Sequence, residues 1–362
     1  MKKIKRNLIC VLALFFILFI IFIYFSNKSD RNNSINIKVK RNNIEDNKSL
    51  SQDNKEIIIG ITPWTAHAPF VVAEEKGFFE NLGISVKVVV FNDVTARNNA
   101  FFSGNTHFSM IECGDAILFN SINNSSSIVT EAIDFSKSDV MVILIKKNYK
   151  NLSEVKSKLV ACEKGTSYML FLERALNIYG LTTNDVNVID MTHIEALTAF
   201  MRDRLDVVVT FKQPYLNKAI NEGKGKIALT SAEIDQDFLD CICVQKNLLV
   251  SNPLMITKVL KGWFEAVKWS EENPDEFYDI ALKKVFYMYH GATIDDLRLQ
   301  KQFEILKPEV LKERMEYNGH IYRYTEDILN LHHKMGNLAL KPDIKTLVDN
   351  KPFFEAIKSY NE

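Results

Sequence analysis

The stretch from residue 57 to residue 115 constrains the fold more than any other part of the chain. It begins with the apolar run Ile57–Ile61, and residues 69–76 then follow at helical period. Gly77 ends that helix, because a residue without a Cβ tolerates the left-handed turn that closes a helix. The β-branched, alternating residues 84–90 predict a second strand. Strand, helix and strand in about 35 residues form a βαβ unit, which implies a parallel sheet.

The loops that follow the predicted strands are candidate binding segments, because ligands on parallel sheets bind where the strands end. The first loop holds Trp64. At the next junction, Gly114 and Asp115 offer backbone N–H groups that either cap a helix or meet a ligand. The triplet 165–167 starts another helix, where hydroxyls and amides together suit an anionic group or form an ordinary N-cap.

Charge and length exclude one class of partner and favour a two-lobed molecule. The 362 residues include 45 basic and 45 acidic side chains. A nucleic-acid binder would carry a basic stripe, so we expect no nucleic-acid partner. The 47% apolar fraction is ordinary for a folded globular protein. About 300 residues remain after the N-terminus, which favours two lobes over a single core.

The N-terminus predicts export. A cluster of lysine and arginine within residues 2–6 precedes the uninterrupted apolar run Leu8–Phe25. About 18 apolar residues are long enough to cross a bilayer, and no small-residue cleavage pattern follows them. We therefore predict a transmembrane signal anchor at 1–26 and a flexible tether at 27–55, with the remainder outside the cytoplasm, in the periplasm or at the cell surface. The alternative is a signal peptide with a poor cleavage site.

Cysteines and histidines point to no metal, cofactor or catalytic centre. Buried, unpaired thiols are the favoured interpretation of Cys113, Cys162, Cys241 and Cys243, and a disulfide from Cys162 to Cys241 or Cys243 is the alternative. The cysteine and histidine spacing fits no zinc site. The sequence has no glycine-rich phosphate loop and no nucleophile elbow. His67 would need a nucleophile to act as a general base, and the sequence displays none.

The order of short motifs resembles a known family. These motifs are Pro63-Trp64, residues 73–79, Gly83-Ile84, Ser103-Gly104, Gly114-Asp115, residues 134–139, residues 163–167, residues 206–210 and Asn252-Pro253. The chain resembles the solute-binding proteins of ABC importers for nitrate, sulfonates, taurine and thiamine-pyrimidine precursors. The resemblance covers most of the region from residue 57 to residue 253.

The resemblance implies an α/β fold of the type II periplasmic-binding-protein class, with mixed, mostly parallel sheets and a ligand cleft between two lobes. Residues 56–142 and 246–362 would form lobe 1, and residues 143–245 would form lobe 2. Ligand binding would close the lobes around a hinge. The residues expected to line the cleft are Trp64, Thr65, His67, Cys113, Gly114, Asp115, Asp134, Ser136, Asp139, Gly165, Thr166, Ser167, Phe211 and Gln213.

Chemical roles follow for these positions. Trp64 and Phe211 would stack on a planar or apolar part of the ligand. The three aspartates would bind an amine or a ring N–H, and the triplet 165–167 would take an anionic end. The chain departs from its relatives at Lys212 and Gln213, where an acidic residue is common, and at the shortened loop around Ser138. Both departures leave the ligand open between a sulfonate or taurine-like zwitterion, a nitrate-like anion and a pyrimidine precursor.

The function implied by the resemblance is that of a monomeric, membrane-tethered binding component that feeds a small molecule to an ABC permease. One alternative is a sensor ectodomain that reports its ligand to a membrane signalling partner. The other is an enzyme like the thiamine-pyrimidine synthases. Those enzymes carry a cysteine-dense segment that this chain lacks, so the sequence favours a protein that is not an enzyme.

Overall fold

The computed structural model describes residues 56–134, 139–164, 166–212, 214–234, 238–289, 292–301 and 304–360. The predicted anchor (1–26) and tether (27–55) lie outside the described residues. Within the described ranges, every helix is too short or too polar to cross a membrane.

The strands of the described residues form two five-stranded sheets, in the orders β2-β1-β3-β10-β4 and β7-β6-β8-β5-β9. The strands are Ile57–Ile61 (β1), Val86–Val90 (β2), Phe108–Glu112 (β3), Ser126–Asp134 (β4), Met141–Lys146 (β5), Leu159–Cys162 (β6), Asn187–Asp190 (β7), Val207–Phe211 (β8), Gly225–Thr230 (β9) and Leu239–Gln245 (β10). In the first sheet β1 runs parallel to β2 and β3, and β10 runs antiparallel to β3 and β4. In the second, β6 runs parallel to β7 and β8, and β5 runs antiparallel to β8 and β9. Parallel and antiparallel pairs are therefore equally frequent, so the prediction of mostly parallel sheets was wrong.

Helices cover the sheets and begin and end where the local sequence dictates. They are Ala68–Glu75 (α1), Phe78–Asn81 (α2), Val94–Phe102 (α3), Cys113–Asn123 (α4), Ser167–Asn177 (α5), His193–Met201 (α6), Pro214–Asn221 (α7), Lys246–Ser251 (α8), Pro253–Glu272 (α9), Pro274–Ile280 (α10), Ile294–Lys301 (α11), Pro308–Met315 (α12), His320–Lys334 (α13) and Lys351–Tyr360 (α14). Gly77 follows α1 with a φ of 72°, the left-handed conformation expected of it. Asp93 caps α3 by accepting a hydrogen bond from the Ala96 amide at 2.7 Å.

Each sheet has its own apolar core, and we call a sheet with the helices packed on it a lobe. In the first lobe the rings of Phe70 and Trp263 stack with centroids 6.0 Å apart, and both side chains are fully buried. In the second lobe, Phe171 packs edge-on against Phe238 at 5.8 Å. Leu170 at the start of α5 belongs to the second lobe by sequence but packs into the core of the first. The two cores therefore meet at α5.

The chain passes between the sheets at two places. All of β5 pairs within the second sheet, so the first crossing precedes Met141. All of β10 pairs between β3 and β4, so the return to the first sheet precedes Leu239. The sequence analysis placed these boundaries at 142/143 and 245/246. The second boundary differs because the apolar strand 239–245 completes the first sheet rather than the second.

Candidate ligand-binding cleft

A cavity of about 220 Å³ lies between the lobes, and both contribute to its wall. The first lobe contributes Thr62, Pro63, Trp64, His67, Asn92, Asp93, Val94, Glu112, Leu239, Asp240 and Tyr289. The second lobe and the segments that lead into and out of it contribute Val140, Met141, Glu163, Ser167, Tyr168, Thr192, His193, Ile194, Phe211 and Phe238. Most of these residues follow a parallel strand or begin an antiparallel one, so the lining comes from the strand ends of both sheets.

Four of the sequence-predicted site residues line this cavity: Trp64, His67, Ser167 and Phe211. Seven others lie outside its wall: Thr65, Cys113, Gly114, Asp115, Asp134, Asp139 and Thr166. The remaining three, Ser136, Gly165 and Gln213, lie outside the described residues. The cavity is therefore lined by four of the fourteen candidate residues and by none of the three predicted aspartates.

Some of the seven outlying residues have clear structural roles. The Thr65 hydroxyl donates to Gln300 Oε1 at 2.7 Å, and Thr166 caps α5. Asp134 is ion-paired with Arg314 at 2.9 Å. Asp139 pairs with Lys212 at the surface, which explains the lysine that departs from the family pattern.

Three more of the seven lie at the start of α4, where the lobes meet. Asp115 accepts hydrogen bonds from Asn98 Nδ2 and from the Ser167 hydroxyl of the second lobe, both at 3.0 Å. A Cβ at Gly114 would come within 2.9 Å of the Ser167 hydroxyl and the Leu170 side chain. Cys113 is buried, and burial raises the pKa of its thiol to about 12.

The cysteines are not bridged. Cys113, Cys162, Cys241 and Cys243 are all buried free thiols, so the alternative of a disulfide from Cys162 was wrong. Cys162 lies in the second sheet and the other two candidate partners lie in the first. Among the residues that the structure describes, no group of three or more His, Cys, Asp or Glu side chains could hold a metal ion.

Each lobe places a histidine beside a carboxylate in the cavity. In the first lobe, His67 Nε2 lies 3.6 Å from Asp240 Oδ2. In the second lobe, His193 Nε2 lies 3.4 Å from Glu163 Oε2. Burial lowers the pKa of His67 to about 3 and that of His193 to about 4, because an imidazolium loses its hydration there. Both imidazoles are therefore neutral at pH 7.

The carboxyl groups of the cavity differ in how far a neighbouring charge or hydrogen bond offsets the effect of burial on their pKa. Burial opposes the ionisation of Glu112, but the Arg97 guanidinium, 2.5 Å away, outweighs it and lowers the pKa of Glu112. Burial and the charge of Glu112 hold the pKa of Asp240 well above its usual range. Burial also raises the pKa of Glu163, whose carboxylate accepts a hydrogen bond from the Thr95 hydroxyl. Glu112 is thus the ionised, paired acid, whereas burial and the charge of Glu112 favour the protonated form of Asp240.

Aromatic rings form a second feature of the wall and span the two lobes. Trp64 of the first lobe meets Phe211 of the second edge-on, with centroids 6.4 Å apart. His193 packs edge-on against Phe211 at 5.1 Å and against Tyr168 at 4.4 Å. This arrangement offers ring faces and edges to the flat or apolar part of a small ligand.

Sequence reasoning did not select Asp93, Glu112, Glu163, His193 or Asp240 as ligand contacts. The first four follow predicted strands, so the strand-end rule could have found them. Asp240 begins an antiparallel strand, and its position at the cleft depends on the strand's direction, which the residue pattern does not report.

Comparisons with known proteins agree with this architecture. The chain is 27% identical over 323 residues to a protein of Bacillus subtilis (strain 168) named "Putative aliphatic sulfonates-binding protein", covering 85% of this chain and 90% of that one. The periplasmic aliphatic sulphonate binding protein of Escherichia coli matches with a TM-score of 0.62 at 17% identity, covering 81% of this chain and 92% of the other. The periplasmic nitrate-binding protein of Synechocystis PCC 6803 matches with a TM-score of 0.64 at 16% identity, covering 85% and 89%.

The two structural matches confirm the periplasmic-binding-protein fold expected from the sequence. A family model matches residues 51–283, which is more than half of the chain and includes both sheets. The chain therefore belongs to the NMT1-like family.

Proposed function

We propose that the chain is an extracytoplasmic solute-binding protein that captures a small polar molecule between its lobes and delivers it to an ABC permease. The observation that carries this proposal is the cavity of about 220 Å³, whose wall is shared between the lobes. An enclosed site with apolar rings and a few convergent polar groups is typical of small-molecule binding. The names of the B. subtilis relative and of the two matched structures support the same role.

Closure of the lobes is the proposed working motion. The contacts that span the lobes include those of the Thr95 hydroxyl with Glu163, of Ser167 with Asp115, and of Trp64 with Phe211. A ligand that touches both walls adds contacts only in the closed state, so it shifts the equilibrium toward closure. We assign ligand contact to Trp64 and His67 from the first lobe and to Ser167 and Phe211 from the second.

We propose that the chain binds its ligand without transforming it. The cavity histidines are neutral, and Ser167, the predicted hydroxyl that lines the cavity, donates a hydrogen bond to Asp115 rather than to a histidine. The Cys113 thiol lies outside the wall, and its pKa of about 12 keeps it protonated. A nucleophile needs an adjacent base or a lowered pKa, and these groups have neither.

We further propose that residues 1–26 anchor the protein in the cell membrane and that residues 27–55 tether the lobes on the outer side. The apolar run and the basic residues before it support this topology. The tethered protein would meet its permease as a monomer, since a closed two-lobed cleft is complete within one chain.

Ligand-dependent stabilisation of the purified full-length chain tests the proposal. We would melt the protein with taurine, alkanesulfonates, nitrate, thiamine-pyrimidine precursors and amidines. A ligand at about 100 times its Kd adds roughly 2.7 kcal/mol to the free energy of unfolding, which raises the Tm by a few degrees. Binding should also change the fluorescence of Trp64, and Trp64→Phe should abolish that change. A panel without any shift would contradict the proposal.

A further inference from the structure

The cavity wall is rich in acids. Four carboxyl groups line it, those of Asp93, Glu112, Glu163 and Asp240, and no lysine or arginine does so among the described residues. Arg97 is fully buried outside the wall and is engaged by Glu112 and Asn98. Because both cavity histidines are neutral, an anionic ligand would meet carboxyl groups without a facing cation.

The helix N-termini around the cavity are also occupied. Their backbone N–H groups are the usual seat of an anionic ligand. Asp93 caps α3, Thr166 caps α5, and Thr192 forms a capping box with Glu195 at α6. At α4, Asp115 lies in the first turn, so a carboxyl group already occupies its positive end. These side chains would compete with a sulfonate or nitrate for the helix N-termini.

Asp240 has a buried side-chain oxygen to which a ligand could donate a hydrogen bond. Its side chain is 7% exposed and lines the cavity, yet Oδ1 has no hydrogen-bond partner among the described residues. A buried acceptor without a donor is costly, and an ionised carboxylate more so than a protonated carboxyl group. The missing partner is a donor that enters the cavity, and a positively charged donor would give the largest gain.

The aromatic rings suit the same kind of ligand. Trp64 and Phe211 lie on opposite lobes of the cavity and approach to 6.4 Å. The face of an aromatic ring carries negative charge density, so it attracts a cation or its polarised neighbouring groups. Carboxyl groups on one side and aromatic rings across the lobes form a site for a positively charged organic group.

We propose that the ligand is a small organic cation bearing N–H groups, which donate to Asp240 and Glu112 while its apolar or planar body packs against Trp64 and Phe211. The inference rests on the proposed binding function and names the ligand class for the same site. Neutral and anionic ligands are disfavoured, although the two matched binding proteins are named for sulfonate and nitrate.

Binding of a cation has a consequence for pH. The groups that face Asp240 are His67, Glu112 and Arg97, with Tyr168 across the cavity. Burial and Glu112 raise the pKa of Asp240, whereas a bound cation favours its ionised form and lowers that pKa. Binding therefore releases a proton, and the affinity should rise with pH above 5, where both cavity histidines are already neutral.

Four small probes of similar size test the inference on the full-length chain by calorimetry and thermal melting. Benzamidinium is a cation with N–H groups, benzamide is its neutral counterpart, benzenesulfonate is an anion, and benzyltrimethylammonium is a cation without N–H groups. We expect benzamidinium to bind at least tenfold more tightly than benzamide and to bind more tightly at pH 8 than at pH 5. Benzenesulfonate should not bind, and benzyltrimethylammonium should bind more weakly than benzamidinium.

Single substitutions test whether benzamidinium binds in the cavity beside Asp240. Asp240→Asn should weaken benzamidinium at least tenfold, and Asp279→Asn, a surface acid paired with Lys283, should leave it unchanged. Because Asp240 is buried, Asn92→Lys provides a second variant at an exposed part of the rim, and its added charge should also weaken the cation.

The outcomes distinguish failure of the cation inference from failure of the proposed binding function. Binding of sulfonates, nitrate or benzamide in preference to benzamidinium would overturn the cation inference and leave the binding function intact. Benzyltrimethylammonium bound as tightly as benzamidinium would overturn the N–H requirement. Binding of none of these probes and none of the wider panel would count against the inference and the proposed function together.

Discussion

At the scale of single residues, His67 shows how burial couples the cleft to pH. Burial lowers its pKa from an ordinary 6.5 to about 3, so the folded protein keeps it neutral while the unfolded chain protonates it. Between these values the unfolded state binds more protons, and the free energy of unfolding therefore falls as the pH falls. His67→Gln should remove this contribution, which is at most about 1.4 kcal/mol per pH unit.

Urea unfolding at pH 4.5, 5.5 and 6.5 would measure the contribution of His67 to the free energy of unfolding. We expect the free energy of unfolding of the native sequence to fall more steeply with acid than that of His67→Gln. The comparison of slopes matters, since other buried groups contribute to both proteins. Parallel slopes would show that His67 titrates normally in the folded state and would contradict the effect of burial on its pKa.

Individual residues also show how much of the candidate site could be predicted from the sequence. Trp64 and Phe211 were found because aromatic residues at the ends of β-branched strands stand out in the pattern. The structure places Asp115 outside the cavity wall, where it is 4% exposed and accepts a hydrogen bond from Ser167 across the lobes. Asp240 was missed because sequence periodicity reports neither the direction of a strand nor its neighbours, and both decide which end reaches the cleft.

At the scale of elements, α4 and α5 approach closely where the lobes meet, and we expect this contact to limit closure. Gly114 leaves room for Ser167 and Leu170, which a Cβ there would meet at 2.9 Å. Gly114→Val should hold the lobes apart, increase the radius of gyration seen by small-angle scattering, and weaken ligand binding about tenfold. Thr198→Val, at an exposed position of α6, is the matched control. An unchanged radius with unchanged affinity would show that this contact does not limit closure.

A second element-scale feature is the ion cluster that joins α12 and α13 to β4. Glu131 is fully buried, and its carboxylate meets Arg314 Nε at 2.5 Å and His320 Nδ1 at 3.0 Å. Arg314→Met would leave that charge buried without its main partner and should cost about 3 kcal/mol in the free energy of unfolding. Arg323→Met, on the exposed side of α13, should cost far less. Equal losses of unfolding free energy in the two variants would show that the ion cluster stabilises the fold no more than an exposed arginine does.

Most elements could be predicted because their patterns are local. Gly77 closing α1, and the apolar strand that became β5, each follow from a few adjacent residues. The helix Pro214–Asn221 was not predicted, since the loop residues before it hide its start. The share of antiparallel strands was also missed. That share depends on where the chain crosses between the lobes, and the crossings are decided by contacts between residues that are far apart in the sequence.

At the scale of the whole molecule, the fold and the family were predicted correctly, because many short motifs in a fixed order restrict the architecture more than any one of them. Ligand class was harder to predict. The four carboxyl groups of the cleft come from four separate strand ends, and the formal balance of 45 acidic and 45 basic residues conceals their local excess. A neutral chain can therefore hold a strongly acidic cavity, since only the folded arrangement decides which charges face each other.

The membrane anchor gives the last prediction at this scale. If residues 1–26 stay attached, nearly all of the full-length chain should sediment with membranes after a high-salt wash, and its mass should include Met1. Alkaline phosphatase fused after Glu362 should be active, because the positive-inside rule places the lobes outside the cytoplasm. A chain lacking residues 2–26 should lose export and membrane association together. A shorter mature protein released into the soluble fraction would instead support a cleaved signal peptide, and an inactive fusion would contradict export.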